Sequence, residues 1–208
     1  MLSRIQISSF LILAVAAWTV LLWVRGFPLS WELFWPFSLV LSFVGLTAAA
    51  FDRWFWKLQL LQGWFVKRPD ISGTWRVALR SEWVNPRTGE KVPVIDCYMA
   101  VKQTLSTLNM RLLTPESSSW FIAHNITLSD DDVYQVAGVY MNKPKLPLRG
   151  DRSEIHYGAV LLDIQGTPAK SLEGDYWTDR NSRGTIRLSD RKKEVFATYE
   201  QAHAAFAE

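Results

Sequence analysis

Asp70-Ile71-Ser72-Gly73-Thr74-Trp75-Arg76-Val77 is where the chain changes character. Pro69 stops any helix that precedes it. From Gly73 onward apolar and polar residues alternate, with many β-branched and aromatic side chains, which is the period of a half-buried strand. The same pattern recurs near 73–84, 92–104, 107–113, 118–128, 133–141, 154–164, 171–178 and 184–189. Turn chemistry separates the runs. It includes Asn85-Pro86-Arg87-Thr88-Gly89, Thr114-Pro115-Glu116-Ser117, Ser129-Asp130-Asp131-Asp132, the stretch from Asn142 to Gly150, Gln165-Gly166-Thr167-Pro168 and Asp179-Arg180-Asn181-Ser182-Arg183-Gly184. No helix-length segment interrupts the eight runs, which excludes a parallel βαβ sheet. The pattern predicts an all-β domain over 70–208: a small antiparallel eight-stranded up-and-down barrel, whose closure removes its edges. A β-sandwich is the alternative. Glu194 to Ala207 is expected to close the domain as a short helix.

Upstream of Pro69 the sequence is of another kind. Uncharged runs of 20 residues (Ile5–Val24) and 19 residues (Leu33–Phe51) are bounded by Arg4, Arg25, Glu32 and Asp52. As helices, each would cover about 30 Å, the thickness of the hydrocarbon core. Residues 1–69 are therefore expected to form two N-terminal transmembrane α-helices in an antiparallel hairpin. The segment from Asp52 to Asp70 would extend the second helix along the membrane interface. Seven of the 11 Trp fall in the first 64 residues, as an aromatic belt requires. Residues 1–69 carry six Lys or Arg against two acidic residues, whereas 70–208 carry 17 basic and 18 acidic. The basic excess thus flanks the apolar runs and argues against a DNA or RNA partner. It places both termini and the barrel in the cytoplasm of a multi-pass inner-membrane protein, with the lipid bilayer as partner. A cleaved signal peptide ending at Ala14-Val15-Ala16 is the competing reading. Ser38, Ser42 and Gly45 share one side of the second helix and offer a transmembrane self-association face or a packing face for the first helix.

The residues offer no catalytic constellation. His124, His156 and His203 are scattered and Cys97 is the single cysteine, so neither a metal site nor a cofactor is expected, and no enzyme. Asp130-Asp131-Asp132 reads as a solvated turn. Binding is better supported, because aromatics alternate with polar or cationic residues along the strands. A phosphorylated nucleotide needs flat surfaces for its bases and cations or neutral donors for its phosphates. Tyr98, Gln103, Arg111, Tyr140, Tyr157, Tyr176, Thr178 and Arg180 are the candidate ligand-binding residues, with Lys102 and His156 near them. Which strand face points inward is left open.

Two apolar runs, then Asp70-Ile71-Ser72-Gly73-Thr74-Trp75-Arg76-Val77, then Leu172-Glu173-Gly174-Asp175-Tyr176-Trp177-Thr178-Asp179-Arg180 and Gly184-Thr185-Ile186-Arg187-Leu188 together resemble a known family. It comprises the two-transmembrane effectors of bacterial cyclic-oligonucleotide antiphage signalling (CBASS) with a minimal lipocalin- or avidin-like barrel. Gly73-Thr74-Trp75 is also similar to the Gly-x-Trp that opens lipocalins, where Trp plugs one end of the barrel. The resemblance implies that a partner nucleotidyltransferase makes a cyclic dinucleotide messenger and the barrel binds it. It further implies that the chain assembles into a homo-oligomer and its helices disrupt the inner membrane, killing the infected cell. A membrane-tethered binder of an apolar ligand and a structural anchor for a protein partner are the alternatives.

Overall fold

The computed structural model describes residues 4–27, 31–84, 88–149 and 154–207. Pro28, Leu29 and Ser30 of the helix link, Asn85, Pro86 and Arg87 of the first turn and Gly150 lie outside the described residues. So do the side chains of Arg4 and Glu32. The chain divides into two compact units, Met1–Phe55 and Trp56–Glu208.

The first unit holds α1 (Arg4–Val24) and α2 (Trp31–Arg53), which meet where Trp18 stacks on Phe37 at 5.2 Å between ring centroids. Among the described residues, no helix is long and apolar enough to cross a membrane. This overturns the expected pair of spanning helices. In α2, Ser38, Ser42, Gly45 and Thr47 stand among the apolar residues, and the helix closes on Asp52 and Arg53. The multi-pass inner-membrane placement, with its cytoplasmic orientation, rested on those spans and falls with them. Ser38 and Ser42 are exposed, Ser38 Oγ donates to Trp35 O (2.8 Å), and the space beside Gly45 is open. Nor does α2 continue to Pro69. It ends at Arg53, and 3-10 turns follow at Phe55–Lys57 and Gln59–Leu61. Burial of Trp56 ties the second of these down, its carbonyl accepting from Gln62 Nε2 (2.6 Å), and Gly63 then takes a left-handed φ of 91° to turn the chain.

The second unit is a closed barrel in the order β1-β2-β3-β4-β5-β6-β7-β8, every neighbour antiparallel. The strands are β1 (Gly73–Ser81), β2 (Ile95–Gln103), β3 (Leu108–Leu113), β4 (Ser117–Leu128), β5 (Tyr134–Pro144), β6 (His156–Gln165), β7 (Ser171–Thr178) and β8 (Arg183–Lys192). Period-two patterning puts Trp75 and Val77, Cys97 and Met99, Val160 and Leu162, and Ile186 and Leu188 on the inner face, where they pack as one core.

One end of the barrel is sealed by residues just before β1. Trp75 is fully buried and its indole N–H donates to Ile71 O (2.9 Å), while the Arg191 guanidinium lies 5.3 Å from the ring centroid and donates to Asp70 O. Gln103 completes the seal. Its Oε1 accepts from Ile71 N (2.8 Å) and its Nε2 donates to Pro69 O (2.9 Å), so its buried amide is matched on both sides. Outside the barrel, α3 (Tyr199–Ala207) packs Ala202, Tyr199 and Phe206 on Tyr98, Ala100 and Leu113. It starts five residues later than the pattern predicts. Buried Thr74 pins the extended chain first, donating to Glu194 O (2.7 Å) and accepting from Phe196 N (3.1 Å), and Thr198 then supplies the cap for Gln201 N.

Burial, helped by neighbouring Asp96, pushes the Cys97 thiol from 9.0 up to about 12. The folded state therefore favours the protonated thiol. The stability this contributes is complete below pH 9 and is lost as pH rises from 9 towards 12. At pH 8 a thiol reagent is expected to leave the native chain unmodified and to titrate one thiol in denaturant. Rapid native labelling would contradict the buried placement.

Candidate functional site

The end of the barrel away from Trp75 is open, and its inner positions change from apolar to polar. Strand register arranges them in three cross-strand rows. Ser119 on β4 pairs with Asn142 on β5, and Asn142 with His156 on β6. Tyr140 pairs with Gly158, and Gly158 with Thr178. Tyr176 pairs with Gly184, and Gly184 with Ser81. These rows line a cavity of about 830 Å³, with Trp83 and Arg180 contributed by the β1–β2 and β7–β8 connections. Its size is that of a small-molecule pocket.

Glycines make room for the aromatic rings. A Cβ on Gly158 would lie 2.5 Å from Tyr140 Cζ and Oη, and one on Gly138 would lie 2.5 Å from Phe121 Cδ1. Each ring leans across its neighbouring strand where that strand has no side chain, which locks the ring by packing. Phe121 and Tyr140 stand 5.9 Å apart in tilted contact. Beneath Tyr140 and Tyr176 lie Leu79, Met99, Leu112, Val160 and Ile186, around a residual space of only about 20 Å³. The barrel below the mouth is therefore filled, and an apolar ligand within it finds no room. Burial raises the pKa of Tyr140, with smaller contributions from Tyr176 and Asp179. Burial raises Tyr176 as well, against an opposing hydrogen bond from Ser81. Both phenols stay neutral at pH 7 and can donate or accept.

The rim supplies positive charge and hydroxyls. The turn after β7 is shaped by Thr178, whose Oγ1 lies 2.7 Å from Ser182 Oγ and accepts from Arg180 N (3.3 Å), and by Asn181 at a left-handed φ of 56°. That turn sets Arg180 at the cavity edge. His156 Nδ1 bonds Glu154 O (3.0 Å), which leaves Nε2 as the second ring position. Among the described residues no group of three or more His, Cys, Asp or Glu could hold a metal ion.

Of the residues the sequence pointed to, Tyr140, Tyr176, Thr178 and Arg180 come together here. The other four lie elsewhere. Tyr98 is 2% exposed on the outer face of β2, its hydroxyl 3.1 Å from His203 Nδ1. Gln103 belongs to the sealed end, Arg111 to the outer face of β3 beside Trp120, and Tyr157, 50% exposed, to the outer face of β6. Ser81, Trp83, Ser119 and Asn142 line the site without having been singled out. Strand parity was the available signal: with Tyr140 inside, Asn142 two residues on must face in as well.

No curated protein matches the chain. A family model does: Cap15, cyclic dinucleotide receptor domain, matches residues 66–190, well over half of the chain and nearly the whole barrel. The barrel, its polar mouth and this match agree, and the chain belongs to the Cap15 cyclic dinucleotide receptor family of CBASS effectors.

Proposed function

We propose that the open mouth of the barrel is where the cyclic dinucleotide binds, without catalysis, and that binding drives self-association of the chain. One observation carries this reading: the cavity of about 830 Å³ combines two neutral phenols, Tyr176 buried and Tyr140 half-buried, with Arg180 and His156 at its rim. Tyr140 and Tyr176 offer ring faces and hydroxyls to a base, while Arg180 faces phosphate at the water-exposed edge. A messenger drives assembly through its differential affinity for the assembled state. At 100 times its dissociation constant this amounts to about 2.7 kcal/mol per protomer.

Titration calorimetry of the full chain against a panel of cyclic dinucleotides is expected to find a binder that is recovered intact. Arg180→Ala is expected to weaken binding by about tenfold to a hundredfold, the effect of removing a charge-assisted contact. Sedimentation velocity should then show ligand-dependent growth in particle size. A panel without a binder, or an Arg180→Ala chain of unchanged affinity, would overturn the assignment of the mouth.

A further inference from the structure

We propose that Asn142 reads a nucleobase, by accepting a hydrogen bond from a base N–H at the wall of the mouth. This rests on the mouth being the messenger site and adds which part of the messenger reaches its wall. The Asn142 amide donates from Nδ2 to Ser117 Oγ (3.1 Å) and to Ser119 Oγ (2.9 Å). Its Oδ1 is buried and has no partner.

The neighbouring turn is compatible with that orientation. Thr114 Oγ1 accepts from Ser117 N (2.8 Å) and lies 3.0 Å from both Ser117 O and the Ser117 hydroxyl. With the Thr114 proton on Ser117 O, the Ser117 hydroxyl donates to Thr114 and accepts from the Asn142 NH₂, and the orphaned atom is the carbonyl oxygen. Ser119, 2% exposed, accepts from the same NH₂ and keeps its own proton. The wall thus carries an acceptor, Asn142 Oδ1, and a donor, the Ser119 hydroxyl, on adjacent strands.

A phosphate has acceptors only and would oppose Oδ1. A base edge has an N–H beside a ring nitrogen or carbonyl and fits both groups. The N–H is an exocyclic amine in adenine or cytosine and a ring imide in guanine or uracil. An unpaired acceptor shielded from water favours a ligand that satisfies it and disfavours one that does not. The wall beside Asn142 therefore takes a base, and the rim at Arg180 takes phosphate.

The test measures full-chain affinity for the tightest-binding cyclic dinucleotide and for its donor-deleted analogues. In adenine or cytosine messengers the exocyclic amine becomes hydrogen; in guanine or uracil messengers the ring N–H becomes C–H. The natural chain is expected to lose about tenfold or more for the matching deletion. Asn142→Leu, which lacks the acceptor, should bind both forms within about twofold. Asn142→Asp, which keeps an acceptor there, should retain the discrimination and serves as the check if Asn142→Leu does not fold. Discrimination that survives in Asn142→Leu, is absent from the natural chain or is lost in Asn142→Asp would overturn the inference. Arg180→Ala separates the two levels. If it weakens binding while Asn142→Leu still discriminates, only the role of Asn142 fails; if it does not, or if no panel member binds, the site reading fails with it.

Discussion

Trp75→Ala is expected to lower the unfolding free energy by about 3–5 kcal/mol, the range for emptying a large aromatic site in a packed core. Trp75 is 0% exposed, and no neighbour can collapse into its place without breaking the seal. Its indole N–H holds Ile71 O, and Ile71 N in turn holds Gln103 Oε1. Arg191 lies over the ring and grips Asp70 O. Alanine removes the surface against which all of these are ordered, and leaves the Ile71 carbonyl buried without its donor. Trp75→Phe keeps most of the apolar volume and loses the donor, so a smaller loss is expected. Urea unfolding with an unchanged slope is the measurement. A loss for Trp75→Ala below about 1.5 kcal/mol would contradict a structural plug. Affinity for a cyclic dinucleotide, measured where the variant is still folded, should stay within a fewfold, because Trp75 lies at the end opposite the mouth.

What the sequence conveyed and what it withheld follow from which forces have a local signature. Alternation is local, so all eight strands were legible from Gly73-Thr74-Trp75 onward, and closure followed from the need to remove edges. The inward face of each strand depends on its partners, and half of the candidate site turned on it. Tyr140 and Tyr176 face the mouth, while Tyr157, of the same chemistry, pairs with Met141 on the outside. Tyr98 was lost to a contact between distant parts of the chain, since only folded α3 brings Tyr199, His203 and Phe206 onto it. Gln103 shows how a buried polar residue in a strand can serve the backbone of a lid instead of a ligand. In α1 and α2 the absence of charge was read as a pair of spans, whereas among the described residues no helix is long and apolar enough to cross a membrane.

Gly158→Ala is expected to cost about 1–3 kcal/mol of stability, as overpacking does, and to reduce cyclic dinucleotide affinity by at least about tenfold. The added methyl would lie 2.5 Å from Tyr140 Cζ and Oη and 2.7 Å from Trp177 O. Of those neighbours the backbone oxygen cannot move, because Ala159 and Trp177 are paired across β6 and β7. The Tyr140 ring has to give way, and it cannot swing freely, since Phe121 stands 5.9 Å away and is itself held over Gly138. The ring is pushed into the cavity, where it takes space the messenger would use. A double-mutant cycle separates this chain of causes from a general weakening of β6. With Tyr140 already changed to alanine, the stability cost of Gly158→Ala should shrink by about 1 kcal/mol or more, because the displaced group is gone. An unchanged cost would place the strain at Trp177 O alone and remove Gly158 from the site. A reduced cost would make this glycine, which carries no chemistry of its own, the residue that sets where Tyr140 meets the ligand.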